Sequence, residues 1–277
     1  MKAVSGNFKE PAADEALAES ENAALGQQKR GTMKYRDLVF DLYGTLVDIH
    51  TDTTLPQVWE KLALFYGFYG ANYTAESLRS TFREITARLN TKAGQEYECF
   101  PELKFEEIFS SLFEKKGITR QTEQLAIQAA QMFRILSIEH IKLYPGVREA
   151  LEELRAQGHR LWLLTNAQRV FTAYELRALK LDKCFDGIYI SSDYGCRKPD
   201  RRFFEALIDG RGLVPGECLM IGNDMTTDIK GAKNAGFDTL YIHSNLSPKE
   251  DVDGPADYRV EGADWKEILK ELNKICE

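Results

Sequence analysis

The chain has little from which to build a nitrogen- or sulfur-liganded centre. Its four histidines (His50, His140, His159, His243) show no ligand spacing, and its five cysteines (Cys99, Cys184, Cys196, Cys218, Cys276) are odd in number and scattered, with no C-x-x-C. That pattern argues against a zinc site and against a disulfide framework, and for reduced thiols in a cytoplasmic protein. Surplus positive charge is also missing: 36 Lys and Arg stand against 43 Asp and Glu, a net charge of -7. Phosphate backbones are gripped by clustered Lys and Arg, so no nucleic-acid partner is expected; a small anionic ligand needs only one local positive spot. No apolar run is long enough to span a bilayer, and the N-terminus lacks the basic-then-apolar signal pattern, so no membrane partner is expected either. Oligomeric state leaves no mark in the sequence.

What is present is an ordinary globular composition, 43% hydrophobic and 29% charged over 277 residues. That length suits one large domain or a core carrying an inserted subdomain. Residues 1–32 are rich in Ala, Glu and Gln and nearly devoid of large apolar side chains, so a disordered tail is expected there. From Asp37 onward, short apolar runs alternate with amphipathic stretches. The runs are "DLVFDL", Arg160–Asn166, Gly187–Ser192, Cys218–Asp224 and Thr239–His243; the stretches are Gly146–Gln157, Arg169–Lys180, Asp200–Arg211, Thr226–Ala235 and Asp264–Cys276. Near-continuous Val, Ile, Leu and aromatic runs suit strands buried on both faces, and strand–helix alternation implies an α/β fold with a Rossmann-like parallel sheet. Residues 50–143 read differently. They contain no convincing strand and four helical patterns: Leu55–Tyr69, Ala75–Leu89, Phe105–Lys116 and Gln121–Ile138. The expected layout is an α/β core from 33–49 and 144–277 with an all-helical subdomain at 50–143.

In an open parallel sheet, ligands bind outside the carboxyl ends of the strands. The first run ends at Asp41, followed by Tyr43, Gly44 and Thr45; the second ends at Thr165 and Asn166. Lys198 follows the third, and the fourth ends with Asn223, Asp224 and Asp228. Carboxylates, a hydroxyl and amide pair, and one lysine therefore converge on one rim. A carboxylate can attack phosphorus or carbon and form a covalent intermediate. Carboxylates brought together repel unless a cation lies between them, and oxygen ligands suit Mg2+. The Thr hydroxyl and neighbouring N–H groups can bind phosphate oxygens, and a lysine adds a point charge.

Four motifs, "DLYGTLVD", "LLTN", "RKPD" and "GNDMTTDIKGA", follow one another in that order. On them, over about residues 35–275, the chain resembles the haloacid dehalogenase (HAD) superfamily, in the subgroup whose helical cap is inserted after the first strand. The resemblance implies Asp41 as nucleophile and Mg2+ ligand, the carbonyl at Tyr43 as a further ligand, Thr165 as a phosphate binder and Lys198 as the partner of the nucleophile. It implies Asp224 at the metal, with Asp228 at the same metal site as a partner one layer behind or acting through water. Gly44, Thr45 and Asn166 complete the expected substrate contacts. Asn223 stands where many relatives have a carboxylate. In the cap, Tyr66, Tyr69, Tyr97, Glu98 and Phe100 are candidates to face the site.

Tyr43 departs from the phosphatase pattern, in which a second aspartate two positions after the nucleophile gives and takes protons. A phenol with a reference pKa of about 10 suits neither task near neutral pH. The implied activity is a Mg2+-dependent phosphatase of a small phosphorylated metabolite, working through an aspartyl-phosphate. Tyrosine at this position also marks the metal-independent 2-haloacid dehalogenases, although those carry no counterpart of Asp224. A low-turnover relative that binds a phosphorylated ligand is the third reading.

Overall fold

The computed structural model describes residues 33–93, 100–249 and 254–276. The expected tail at 1–32 and the cap candidates Tyr97 and Glu98 lie outside the described residues. The core is a six-stranded parallel sheet in the order β5-β4-β1-β6-β7-β8. In chain order these strands are β1 (Asp37–Phe40), β4 (Arg160–Thr165), β5 (Gly187–Ile190), β6 (Cys218–Gly222), β7 (Asp238–His243) and β8 (Tyr258–Glu261). β1 is central because all four of its residues are buried and it pairs on both sides, Phe40 lying beside Leu163 of β4 and Ile221 of β6. This register brings the ends of β1, β4 and β6 to one edge. Helices cover the sheet with periodic apolar faces: the Val147–Ala156 helix buries Val147, Ala150, Leu151 and Leu154. Asp200 starts the Arg201–Arg211 helix by accepting from the Arg202 N–H at 3.0 Å.

A helical insertion follows the first strand. Its helices are Pro56–Phe68, Ala75–Ala93, Phe105–Glu114 and Thr122–Ser137. They close on a core of their own, in which Trp59, Leu62, Tyr66, Phe109, Phe113 and Phe133 are buried. Tyr66 is fully buried there, and its hydroxyl donates to the Phe109 carbonyl at 2.9 Å. Tyr69 and Phe100 are exposed.

Two expectations need correcting. Residues 50–143 do contain a strand: β2 (Val47–Thr51) and β3 (Ile138–Leu143) form an antiparallel ribbon that joins the insertion to the core. β8 was not expected either. Both were hidden for one reason: β3 and β8 have no fully buried residue, so neither carries a continuous apolar run.

Candidate active site

Asp41 directly follows β1, and its N–H donates to the Ile221 carbonyl at 3.0 Å. The chain then turns tightly. The Leu42 carbonyl accepts from the N–H groups of Leu46 and Val47, both at 2.9 Å, and the Gly44 N–H donates to the Val47 carbonyl at 2.8 Å. Gly44 has φ +87°, and a Cβ there would lie 2.2 Å from the Asn223 amide nitrogen; both facts require glycine. From the far end of the chain, Trp265 donates its indole N–H to the Thr45 carbonyl at 2.9 Å, pinning the loop. The Thr45 hydroxyl reaches Asn223 Oδ1 at 3.2 Å and Asp41 Oδ2 at 3.4 Å. Asn223 is thus packed against the loop that follows Asp41.

Lys198 is 1% exposed. Its Nζ donates to Asp41 Oδ1, Asp228 Oδ1 and the Leu164 carbonyl, each at 2.7 Å. These three contacts use all three ammonium protons. Asn166 holds the lysine's own backbone: its Nδ2 donates to the Lys198 carbonyl at 3.0 Å, and its Oδ1 accepts from the Lys198 N–H at 2.8 Å. Asp228 Oδ2 accepts from the N–H groups of Asn223 and Asp224, both at 3.1 Å. Both Asp228 oxygens are therefore engaged by protein groups. Gly222 makes room for it, since a Cβ there would lie 2.4 Å from Asp228 Oδ2. Asp224 Oδ1 accepts from the Thr226 and Thr227 N–H groups at 2.8 Å, capping one π-helical turn (Met225–Ile229). Thr165, at the end of β4, has a hydroxyl that is buried and without a partner among the described residues. Such an atom in a native site calls for an external partner.

Burial alone would push the Lys198 ammonium down, but Asp228 and Asp41 outweigh it and the pKa is raised. Burial pushes the Asp228 carboxyl up to about 7, with Lys198 opposing and Asp41 assisting. One ammonium cannot neutralise two carboxylates beside it, and Asp228 absorbs the deficit. Asp41, Asn166, Lys198, Asp224 and Asp228 line one cavity of about 210 Å3, together with Tyr43. Among the described residues, no group of three or more His, Cys, Asp or Glu is arranged to hold a metal. The donor set that fits a hard cation is smaller: the Asp41 and Asp224 carboxylates, with water or substrate oxygens for the rest. In proteins generally, Mg2+ takes one or two carboxylates and keeps several waters.

Although Tyr43 lines this cavity, its hydroxyl is directed to the helix that packs on the cap. Its hydroxyl donates to Glu175 and lies 3.0 Å from the Thr172 hydroxyl. Glu175 also receives Arg134 of the cap, Nε at 2.6 Å and a second guanidinium nitrogen at 3.2 Å. Burial raises the Tyr43 pKa, Glu175 adds to it, and Arg134 opposes. The phenol is a neutral strut that ties the Asp41 loop, through Glu175, to the cap. Sequence reasoning missed both Glu175 and Arg134, although a signal existed for the first. Glu175 shares the buried face of its helix with Phe171, Thr172 and Leu176, and an acid on such a face needs a partner. Asp48 is held by Asn245 at 3.1 Å and by Lys142 at 3.3 Å. A strap from the cap also crosses the lysine loop: Arg197 N–H donates to the Phe100 carbonyl at 2.9 Å and Glu102 N–H to the Gly195 carbonyl at 3.0 Å.

Asp41 just after β1, the buried Lys198 against it and a helical insertion after the first strand define an α/β protein with a charged cavity at the ends of its strands. Residues 36–236 match the haloacid dehalogenase-like hydrolase family, and the chain belongs to it. (S)-2-haloacid dehalogenase 4A of Burkholderia cepacia is 26% identical over 244 residues, 87% of this chain and 98% of that protein. Human N-acylneuraminate-9-phosphatase is 27% identical over 217 residues, 78% of this chain and 85% of that protein. The HAD-hydrolase structure of Bacillus subtilis YfnB bound to magnesium shares the fold at TM-score 0.51 and 22% identity, covering 87% of this chain and 99% of that one. No described helix is long and apolar enough to cross a membrane, and no disulfide joins the described cysteines.

Proposed function

We propose that this hydrolase is a Mg2+-dependent phosphatase of a small phosphorylated metabolite, with Asp41 as nucleophile. One observation carries the reading: Asp41, Asp224 and Asp228 line a single cavity in which Lys198 is the only cation among the described residues. A site so short of positive charge repels an anionic phosphate unless a further cation enters. Asp41 and Asp224 are the residues that would hold it, with the Tyr43 carbonyl. Bound there, Mg2+ supplies charge that neutralises the transferring phosphoryl group.

The chain's own residues do the rest. Lys198 holds Asp41 by one oxygen, and Asp228 holds Lys198. The Thr165 hydroxyl offers a donor to a phosphate oxygen. Asp41 attacks phosphorus to form an aspartyl-phosphate, which water then cleaves. Hydrolysis of p-nitrophenyl phosphate with and without Mg2+, against Asp41→Asn, tests this. Loss of turnover in the variant and on chelation is expected; equal rates for wild type and variant sink the mechanism.

The metal-independent 2-haloacid dehalogenase reading keeps one specific support, Tyr43, since halide needs no protonation on leaving. Chloride release from 2-chloropropionate in the presence of chelator is its test, and no release removes it.

A further inference from the structure

The Asp41 cavity has a neighbour. A cleft of about 470 Å3 lies between cap and core, and Tyr43 and Asn166 line both. Its size is ordinary for a small-molecule site. Phe82, Phe105 and Phe133 form its wall on the cap side and Phe171 on the core side. The wall is continuous across the junction, because the Phe105 and Phe171 rings meet edge-on with centroids 5.7 Å apart. Of the described side chains lining the cleft, only Arg134 is charged, and Glu175 neutralises it through two hydrogen bonds. A leaving group that carried a carboxylate or a second phosphate would have to strip Glu175 from Arg134. Breaking such a shielded pair is costly. The cleft therefore favours a flat, uncharged group.

Position 43 points the same way on separate grounds. The Tyr43 hydroxyl is held by Glu175 and Thr172. Among the described residues, the carboxyl groups lining either cavity are Asp41, Asp224 and Asp228, and each is already committed to the nucleophile role, the metal or Lys198. No described carboxyl group there is left free to protonate the leaving oxygen. A phenol ionises near pH 10, whereas an alkanol holds its proton to about 16, as water does. Only the former leaves readily unassisted.

We propose that the substrate is a phosphate monoester of an uncharged phenol-type alcohol, its ring seated among Phe82, Phe105, Phe133 and Phe171. The proposal rests on the phosphatase reading. As an Asp41 oxygen bonds to phosphorus, the bond from phosphorus to the aryl oxygen breaks. The electron pair leaves on that oxygen, which takes its proton from solvent. Water then cleaves the aspartyl-phosphate, releasing inorganic phosphate and restoring Asp41.

Four esters separate the two grounds in the full chain with Mg2+. Phenyl phosphate has both ring and good leaving group, and benzyl phosphate the ring alone. Acetyl phosphate has the leaving group alone, and glycerol 3-phosphate has neither. We expect kcat/KM for phenyl phosphate to exceed that for glycerol 3-phosphate by roughly 100-fold or more, the lower end of what an acid contributes. Benzyl phosphate should match phenyl phosphate in KM and fall short in kcat. Thr53→Trp, a substitution at the exposed rim of the cleft, should raise KM for phenyl phosphate about tenfold more than for acetyl phosphate, an ordinary penalty for lost fit. Equal kcat/KM for phenyl phosphate and glycerol 3-phosphate overturns the proposal. So does a Thr53→Trp effect that is the same for phenyl and acetyl phosphates. In either case, Asp41-dependent turnover of acetyl phosphate leaves the phosphatase reading standing. Turnover of none of the four removes both.

Discussion

Replacing Lys198 by methionine keeps the length of the side chain and deletes its charge. The ammonium touches Asp41 and Asp228 at 2.7 Å each and is 1% exposed. At an effective dielectric of about 20, each contact corresponds to roughly 6 kcal/mol of attraction, set against desolvation of all three groups. What is measured on removing one partner is the cost of stranding the others, about 3–5 kcal/mol. The loss should depend on pH. Burial already holds the Asp228 carboxyl up at about 7 against the pull of Lys198, and without the lysine it must rise further. A group whose folded pKa lies above its unfolded value contributes stability that is present at low pH and lost as pH rises through the folded pKa. Lys198→Met should therefore be far weaker than wild type at pH 8 and regain much of the difference by pH 5.5. Urea midpoints from tryptophan fluorescence at both pH values test this. Adding Asp228→Asn should restore stability relative to Lys198→Met alone, because one stranded charge is gone. A deficit below about 1 kcal/mol that is equal at both pH values, with no relief from the second substitution, would refute the argument that the pair is a buried charge cluster.

Other substitutions probe the supports around it. Tyr43→Phe should lower stability by about 1 kcal/mol, the usual worth of a hydrogen bond, while changing kcat less than tenfold; a 100-fold loss would mean the hydroxyl takes part in proton transfer. Gly44→Ala forces a side chain into φ +87° and to 2.2 Å from Asn223, so it should abolish turnover and lower the melting temperature. Trp265→Phe removes the N–H held by the Thr45 carbonyl and should lower stability by about 1–3 kcal/mol; wild-type urea curves would show that the indole does not pin the loop. Burial raises the Glu102 carboxyl, with Ser191 and other donors opposing. Its contribution is thus present below its ordinary pKa and lost as pH rises through the folded value, so Glu102→Gln should flatten the fall in melting temperature above pH 4.5.

Much of this fold is legible in the chain. The strands β1, β4 and β6 declare themselves because both faces are buried; β4 ends on Thr165, and Asp41 and Asn223 directly follow β1 and β6. The four helices of the insertion declare themselves by period and length. β2, β3 and β8 do not, because a ribbon or an edge strand with solvent on one side needs no apolar run. That Asp41, Lys198 and Asp228 meet at one edge of the sheet was readable from the order of the apolar runs. The partners of Tyr43 were not: Arg134 and Glu175 lie 41 residues apart and meet only when the cap sits on the core.

The sequence alone determined which strands are buried, which residues cap their ends and that position 43 lacks a carboxylic acid, since these follow from local pattern and residue type. Only the tertiary structure decided how those groups are committed. It spends both oxygens of Asp228 on Lys198 and the backbone, turns Tyr43 into a neutral strut and neutralises Arg134 with Glu175. It also lines the cleft beside Asp41 with phenylalanines from two subdomains. These outcomes depend on distance between segments remote in sequence, and burial at those distances sets which charges survive.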